Sequence, residues 1–213
     1  MNELINRVKN SINNAEQYSS NLIKPILDLM GASSTKVRHF LNNIITSNSR
    51  YLEIGCWKGS TFVSALWENN PEIAFAIDNW SQFVDGYLEH PKKTFYNNLN
   101  QFVKSKNIHL IHKNCFEIDL KHYNITNINT YFYDGGHSYE DQYKALTYYY
   151  KSLSDCFIYI VDDWNWVETV QDGTKNAIKD LNLNILFEQE MPADFNGDVE
   201  KWWNGLYICV LKK

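Results

Sequence analysis

The feature that most constrains this chain is an alternation that starts at residue 50. Short apolar runs at 50–54, 73–77, 108–112, 130–133 and 157–161 are separated by segments of helical spacing at 60–69, 92–104, 138–152 and 174–181. Runs this short and this apolar read as strands covered on both faces. Strands alternating with helices imply a parallel sheet between two helical layers. Two more runs, 183–187 and 206–211, have no helix between them and read as an antiparallel hairpin. The expectation is an α/β fold with a mostly parallel seven-stranded sheet, helices on both faces and an antiparallel C-terminal hairpin.

The first run leads into a glycine turn, Glu53-Ile54-Gly55-Cys56-Trp57-Lys58-Gly59-Ser60-Thr61. Glycines at this point let the backbone turn sharply and approach a ligand, and the hydroxyl of Ser60 or Thr61 can cap the helix that follows. A strand, a glycine turn and a helix start have the shape of a nucleotide-type cofactor loop in a single Rossmann-like domain. Residues 1–47 precede this unit. Leu4, Ile5, Val8 and Ile12 fall at helical spacing, Pro25 and Gly31 interrupt, and Val37, Phe40, Leu41, Ile44 and Ile45 mark a second helix. This extension is expected to pack on the core or over the cofactor site of the 48–213 domain.

With 213 residues, 44% of them hydrophobic, the chain can bury one full core and hardly two. A net charge of −5 gives no global field for nucleic acid, so no nucleic-acid partner is expected. No apolar run is long enough to span a bilayer and no signal-peptide pattern opens the chain, so the expected location is the cytoplasm and no membrane partner is expected. The cysteines Cys56, Cys115, Cys156 and Cys209 are scattered and read as reduced buried thiols.

Function is indicated by where the polar residues fall. Glu53 with Gly55, Asp78, Asn114 with Cys115, Asp134, and Asp162 with Asp163 each follow a strand end. Ligands of open α/β sheets bind at that edge, so these residues line one cleft. Asp78, closing the second strand, suits the hydrogen bonds of a ribose diol. Glu53 beside the first turn would repel a pyrophosphate and suits a ligand with positive charge. That favours S-adenosylmethionine, which carries a sulfonium and an ammonium, over NAD. Asp134, Asp162 and Asp163 would repel one another unless protonated or bound to metal, and an all-oxygen set selects a hard cation such as Mg²⁺. In Asp134-Gly135-Gly136-His137-Ser138, the glycines allow a sharp exit and Ser138 can cap a helix. His137 can touch substrate, shuttle a proton, or bond within its own loop.

These motifs carry a resemblance. The stretch 51–61 resembles the first motif of class I S-adenosylmethionine-dependent methyltransferases. Asp78 matches their second motif, and Asn114-Cys115 the adenine contact. Tyr133-Asp134-Gly135-Gly136-His137-Ser138-Tyr139-Glu140 is similar to the signature of the branch holding the macrocin and mycinamicin sugar O-methyltransferases. In that branch an Asp after the fourth strand and an Asp-Asp pair after the fifth bind Mg²⁺, which implies Asp134, Asp162 and Asp163 here. Two positions depart from the pattern: Trp57 replaces the middle glycine, and Asn114 an acid.

The resemblance implies methyl transfer to a hydroxyl of a small molecule, such as a sugar, with Asp134 or His137 accepting the proton. Glu53, Gly55, Gly59, Ser60, Asp78, Asn114, Cys115 and Asp134 would hold the cofactor, with Glu53 at its methionine end and the helix start after Gly59 at its carboxylate. Trp80, Phe83, Tyr87, Trp164, Trp166, Trp202 and Trp203 would wall the acceptor site. Rival readings are a metal-independent methyltransferase using His137, a nicotinamide-dependent oxidoreductase, and a non-catalytic cofactor-binding protein. A homo-oligomer is left open.

Overall fold

A computed structural model describes residues 2–82 and 84–213. It contains one seven-stranded sheet in the order β3-β2-β1-β4-β5-β7-β6. The first five strands are β1 (Arg50–Ile54), β2 (Ile73–Asp78), β3 (Ile108–His112), β4 (Ile128–Tyr133) and β5 (Leu153–Val161), and their mutual pairings are all parallel. The last two are β6 (Asn184–Met191) and β7 (Leu206–Lys212); β7 runs antiparallel to both β5 and β6. The architecture expected from the alternation is present, hairpin included.

Alternation along each strand divides the core in two. Tyr51, Ala74, Ala76, Phe132, Ile158 and Ile160 face one apolar cluster. Their neighbours Leu52, Ile54, Phe75, Tyr131, Tyr133 and Tyr159 face the other. The first layer is closed by α1 (Asn2–Glu16), α3 (Thr35–Ile44), α4 (Ser60–Leu66) and α5 (Pro91–Phe102), with a short α2 (Lys24–Leu27) preceding α3. The second is closed by α6 (Tyr139–Tyr149) and α7 (Asp172–Asp180). Because Val8, Ala15, Val37 and Phe40 share the first cluster with the sheet, the N-terminal helices are part of the core.

Element ends differ from the sequence expectation where local chemistry intervenes. The helix expected over 60–69 stops at Leu66, because Trp67 turns extended and Glu68 adopts a positive φ of 54°. The fifth strand begins at Leu153, earlier than its apolar run, with Asp155 and Cys156 at its less buried start. Before α7 the chain makes a five-residue π-helical turn, Val167–Gln171. No described helix is long and apolar enough to cross a membrane.

The order places the reversal of strand direction of growth between β1 and β4, where open α/β sheets leave a crevice. Gly55, at φ +86°, lies so close to β4 that a Cβ there would sit 1.7 Å from the Asp134 carbonyl oxygen. A side chain at 55 would therefore force the two strand ends apart.

Candidate active site

A cavity of about 830 Å³ opens over the C-terminal ends of β1, β2, β3, β4 and β5. This volume lies within the range of small-molecule and cofactor sites. Gly55, Asp78, Asn114, Cys115, Asp134, His137, Asp162 and Asp163 all line it. Residues scattered over more than a hundred positions are thus gathered by five strand ends.

Every oxygen of the two acids at the β1–β2 end has a partner. Asp78 accepts the Trp57 N–H on Oδ2 at 2.7 Å and the Trp80 N–H on Oδ1 at 2.6 Å. It holds the first glycine turn against the loop after β2 while still lining the cavity. Glu53 is fully buried and accepts from Tyr51 Oη at 2.5 Å and Thr61 Oγ1 at 2.6 Å. Burial, aided by the charge of Asp78, raises its carboxyl to about 7, against the lowering effect of those two hydrogen bonds. Glu53 does not line the cavity. It ties β1 to α4.

Ser60 and Gly59 also depart from the roles expected of them. Gly59 is itself the N-cap of α4, in left-handed conformation, and no side chain caps the helix. The Thr61 hydroxyl is committed to Glu53, and a Cβ on Gly31 would lie 1.7 Å from Ser60 Oγ. Gly59 packs against the Phe95 ring. Neither Gly59 nor Ser60 lines the cavity, so the start of α4 is closed by the segment before α3. Ala32, two residues before the Ser34 N-cap of α3, does line it.

At the third strand end Asn114 is the N-cap of a short 3₁₀ turn, Cys115–Glu117, and accepts the Phe116 N–H at 3.1 Å. The Cys115 thiol, pushed up to about 12 mainly by burial, is a neutral wall of the cavity.

The β4–β5 end is different. The chain pairs Tyr133 with Val161, which brings Asp134 and Asp162 out side by side, and the Asp162 N–H donates to the Tyr133 carbonyl at 3.1 Å. Asp163 adopts φ +60°, a left-handed conformation that breaks the strand alternation. Its Oδ2 lies 2.5 Å from His137 Nε2 and its Oδ1 accepts the Asn204 Nδ2 at 2.5 Å. Asp162 Oδ1 is buried with no hydrogen-bond partner among the described residues. Burial is the main cause that drives the Asp134 and Asp162 carboxyls well above their ordinary values; repulsion from neighbouring acids adds to it. The hydrogen bond that His137 donates to Asp163 raises its imidazole, against its partial burial.

The ligand atoms of Asp134, His137 and Asp163 lie within 4.8 Å of one another. The set that converges therefore contains His137 in place of the expected Asp162. Asp162 lies beside it, because consecutive residues at a strand end diverge and the turn at Asp163 carries only that side chain to His137. A mixed imidazole and carboxylate set suits Mn²⁺, Fe²⁺ or Zn²⁺ as well as Mg²⁺. The unpartnered oxygen of Asp162 and the crowded carboxylates fit a cation.

Six aromatic residues among those described line the cavity: Trp57, Tyr87, Phe116, Tyr133, Trp166 and Trp203. Trp166 stacks on His137 with ring centres 5.2 Å apart. Trp80, Trp164 and Trp202, expected in that wall, are core residues at 5% exposure or less. Phe83 lies outside the described residues. Asn204 was not legible in the sequence: it reaches Asp163 only because β7 returns beside β5, with the Asn165 N–H donating to the Asn204 carbonyl at 2.9 Å.

Residues 52–164 match the family described as "Methyltransferase domain". No curated protein matches the chain in sequence. Among solved structures, TYW2 from M. jannaschii in complex with AdoMet is similar with a TM-score of 0.60 at 11% identity, over 87% of this chain and 78% of that one. TrmK from M. capricolum in complex with S-adenosylhomocysteine is similar with a TM-score of 0.57 at 17% identity, over 83% and 67%. A protein from Streptococcus mutans, provisionally described as a SAM-dependent methyltransferase, gives 0.58 at 13% identity over 84% of this chain. The chain spans about half of that protein's length, 48%.

Proposed function

The chain belongs to the methyltransferase domain family, and from that premise we propose that it transfers a methyl group from S-adenosylmethionine to a hydroxyl of a small molecule. The observation that carries this reading is one cavity with a ribose-type acid at one end, Asp78, and a cluster of proton acceptors at the other, Asp134, His137 and Asp163. The similar structures named above with AdoMet or S-adenosylhomocysteine support the choice of cofactor for this chain.

S-adenosylmethionine supplies a methyl group on a sulfonium. In this reading Gly55 leaves room for it, Asp78 accepts from its ribose hydroxyls, and Asn114 and Cys115 flank the adenine. The acceptor hydroxyl meets the other end, between the Trp166 and Trp203 rings. Asp134, whose burial makes it a stronger base than an exposed carboxylate, accepts its proton, with His137 the alternative acceptor. Asn204 and Asp163 fix the imidazole, and Trp166 packs its face. Holding both reactants in register is worth as much as about 7–11 kcal/mol of the barrier.

A divalent cation is part of the proposal. Asp134 and Asp163 would hold it, with Asp162 or His137 completing the set, and such an ion lowers the pKa of a bound hydroxyl. The 2.5 Å contact of His137 with Asp163 favours a second reading, in which the protonated imidazole takes the cation's place and no metal is needed. Small acceptors are proposed over RNA, although a similar structure from Streptococcus pneumoniae is described as a tRNA (m1A22) methyltransferase, because the cavity walls carry five aspartates, Asp78, Asp134, Asp141, Asp162 and Asp163.

The test has two parts. Calorimetry with S-adenosylhomocysteine and with NAD is expected to give binding for the first alone; binding of NAD alone would end the proposal. Labelled S-adenosylmethionine is then offered with a panel of sugars and phenols and with unmodified transfer RNA, with and without chelator. Label in RNA only would overturn the acceptor class, and turnover indifferent to chelator would overturn the metal.

A further inference from the structure

The cavity is lined by five aspartates but by two cationic side chains, Lys113 and His137. His137 is engaged by Asp163, and Lys113 is exposed beside Asn114 at the adenine end. A cofactor with an α-carboxylate needs a positive group at its other end. The start of α4 does not supply it, because Ser60 is packed against Gly31.

One ammonium lies just behind the wall at that end. Lys58 is 3% exposed. Its Nζ sits 3.4 Å from the centre of the Tyr87 ring and 4.4 Å from that of Trp57, and both of these rings line the cavity. Among the described residues its only hydrogen-bond acceptor is the Met30 sulfur, at 2.8 Å. Met30 belongs to the same segment as Ala32, which lines the cavity too. Among the described residues Lys58 forms no ion pair. A thioether is a weak acceptor, and ring faces attract a cation without replacing its lost hydration. A buried ammonium in such surroundings lacks an anion.

We propose that Lys58 is the counter-charge for the cofactor's α-carboxylate, held between Trp57, Tyr87 and the segment at Met30. The inference rests on the methyl-donor reading and adds a residue to it. Lys58 sits between Trp57 and Gly59 in the glycine turn, so the turn that makes room for the nucleoside also delivers the cation. The segment before α3 and the loop after β2 both meet this ammonium, and the carboxylate end of the cofactor would be enclosed where they meet.

The experiment separates the carboxylate from the rest of the ligand. Two probes are titrated calorimetrically: S-adenosylhomocysteine, and S-adenosyl-3-thiopropylamine, which is the same molecule without the carboxylate. Wild type is expected to prefer the first. Lys58→Met keeps the length and apolar packing of the stem and is expected to weaken S-adenosylhomocysteine binding by about 10- to 100-fold, the range of a charged hydrogen bond, and to leave the amine probe unchanged. Lys58→Arg is expected to recover most of the loss. Equal weakening of both probes would overturn the proposal, since Lys58 would then only organise the wall. No weakening of either would overturn it as well. If wild type itself fails to bind S-adenosylhomocysteine, the methyl-donor reading falls and this inference with it, which is a different result from the other two.

Discussion

The two ends of the cavity are built on opposite principles. At the β1–β2 end each carboxylate oxygen has a donor: Asp78 takes two backbone N–H groups and Glu53 two hydroxyls. At the β4–β5 end Asp134, His137 and Asp163 crowd together beside Asp162, whose Oδ1 is buried with no donor among the described residues. Buried polar groups are ordinarily satisfied, so an exception in a cleft marks chemistry or a missing ligand. The satisfied end is a preformed cradle. The unsatisfied end is held in an arrangement that costs stability, and the fold tolerates it because the register of β4 with β5 and the return of β7 leave the acids nowhere else to point.

The largest effect that tests this contrast is Asp134→Asn. If the crowded end runs the reaction, turnover on an acceptor found by the labelling screen falls by about 10²–10⁴-fold, the usual worth of a general base. Removing one of several repelling carboxylates is expected at the same time to raise the melting temperature of the metal-free protein. Asp78→Asn is expected to do the reverse at the satisfied end: weaker S-adenosylhomocysteine binding and a lower melting temperature. Calorimetry and thermal melts on the two variants read all four values. Matching changes in both would show that the two ends are not differently built.

Gly55→Ala attacks the point where the ends touch. The new methyl meets the Asp134 carbonyl oxygen, and alanine is strained at φ +86°. Overpacking and left-handed strain together cost about 2–5 kcal/mol, readable as a lower urea midpoint. Cofactor affinity and turnover are both expected to fall, since the strand ends must separate.

The pH dependence of stability gives a smaller and subtler test. Glu53 is raised from 4.5 to about 7 in the folded state. Between those values the folded protein binds more protons than the unfolded chain, so stability falls as pH rises through this window. Over the window the effect is about 3 kcal/mol. Asp134 and Asp162, raised above 3.8, and His137, raised above 6.5, act in the same direction. Melting temperatures in chelator are therefore expected to decline from pH 5 to pH 8. Glu53→Gln is expected to flatten the decline. An unchanged slope in that variant would assign the dependence to the acids of β4 and β5 alone.

What was legible in the sequence follows the same division. Strand periodicity and the acids after strand ends were enough for the sheet, its hairpin and the membership of the cleft, because both depend on local pattern and on one topological rule. That Glu53 and Ser60 lie outside the cavity lining was not legible, because their partners, Thr61 and Gly31, are set by how α4 packs under the segment before α3. No pattern near residue 53 distinguishes a carboxylate facing a ligand from one facing its own helix. Asn204 was invisible because its partner is 41 residues away across an antiparallel return. Trp57 was noted only as a departure from a glycine pattern. Its positive φ of 41° shows that the turn keeps the glycine conformation with a bulky ring attached.

The smallest prediction concerns the loop that joins the two ends. Ser138 is the N-cap of α6; its Oγ accepts the Asp141 N–H at 3.1 Å and donates to Asp141 Oδ2 at 2.7 Å. Asp141 in turn packs against Gly136, where a Cβ would lie 2.4 Å from Oδ2. Ser138→Ala removes one cap and costs about 1 kcal/mol, or about 2–4 °C in melting temperature for a chain of this size. His137 is held by Asp163 and Trp166 from the other side. Turnover at a temperature well below the melt is therefore expected to stay close to wild type. A drop in turnover larger than the stability loss would mean that the cap of α6 also sets the imidazole, and that the crowded end depends on its neighbouring helix more than on β5.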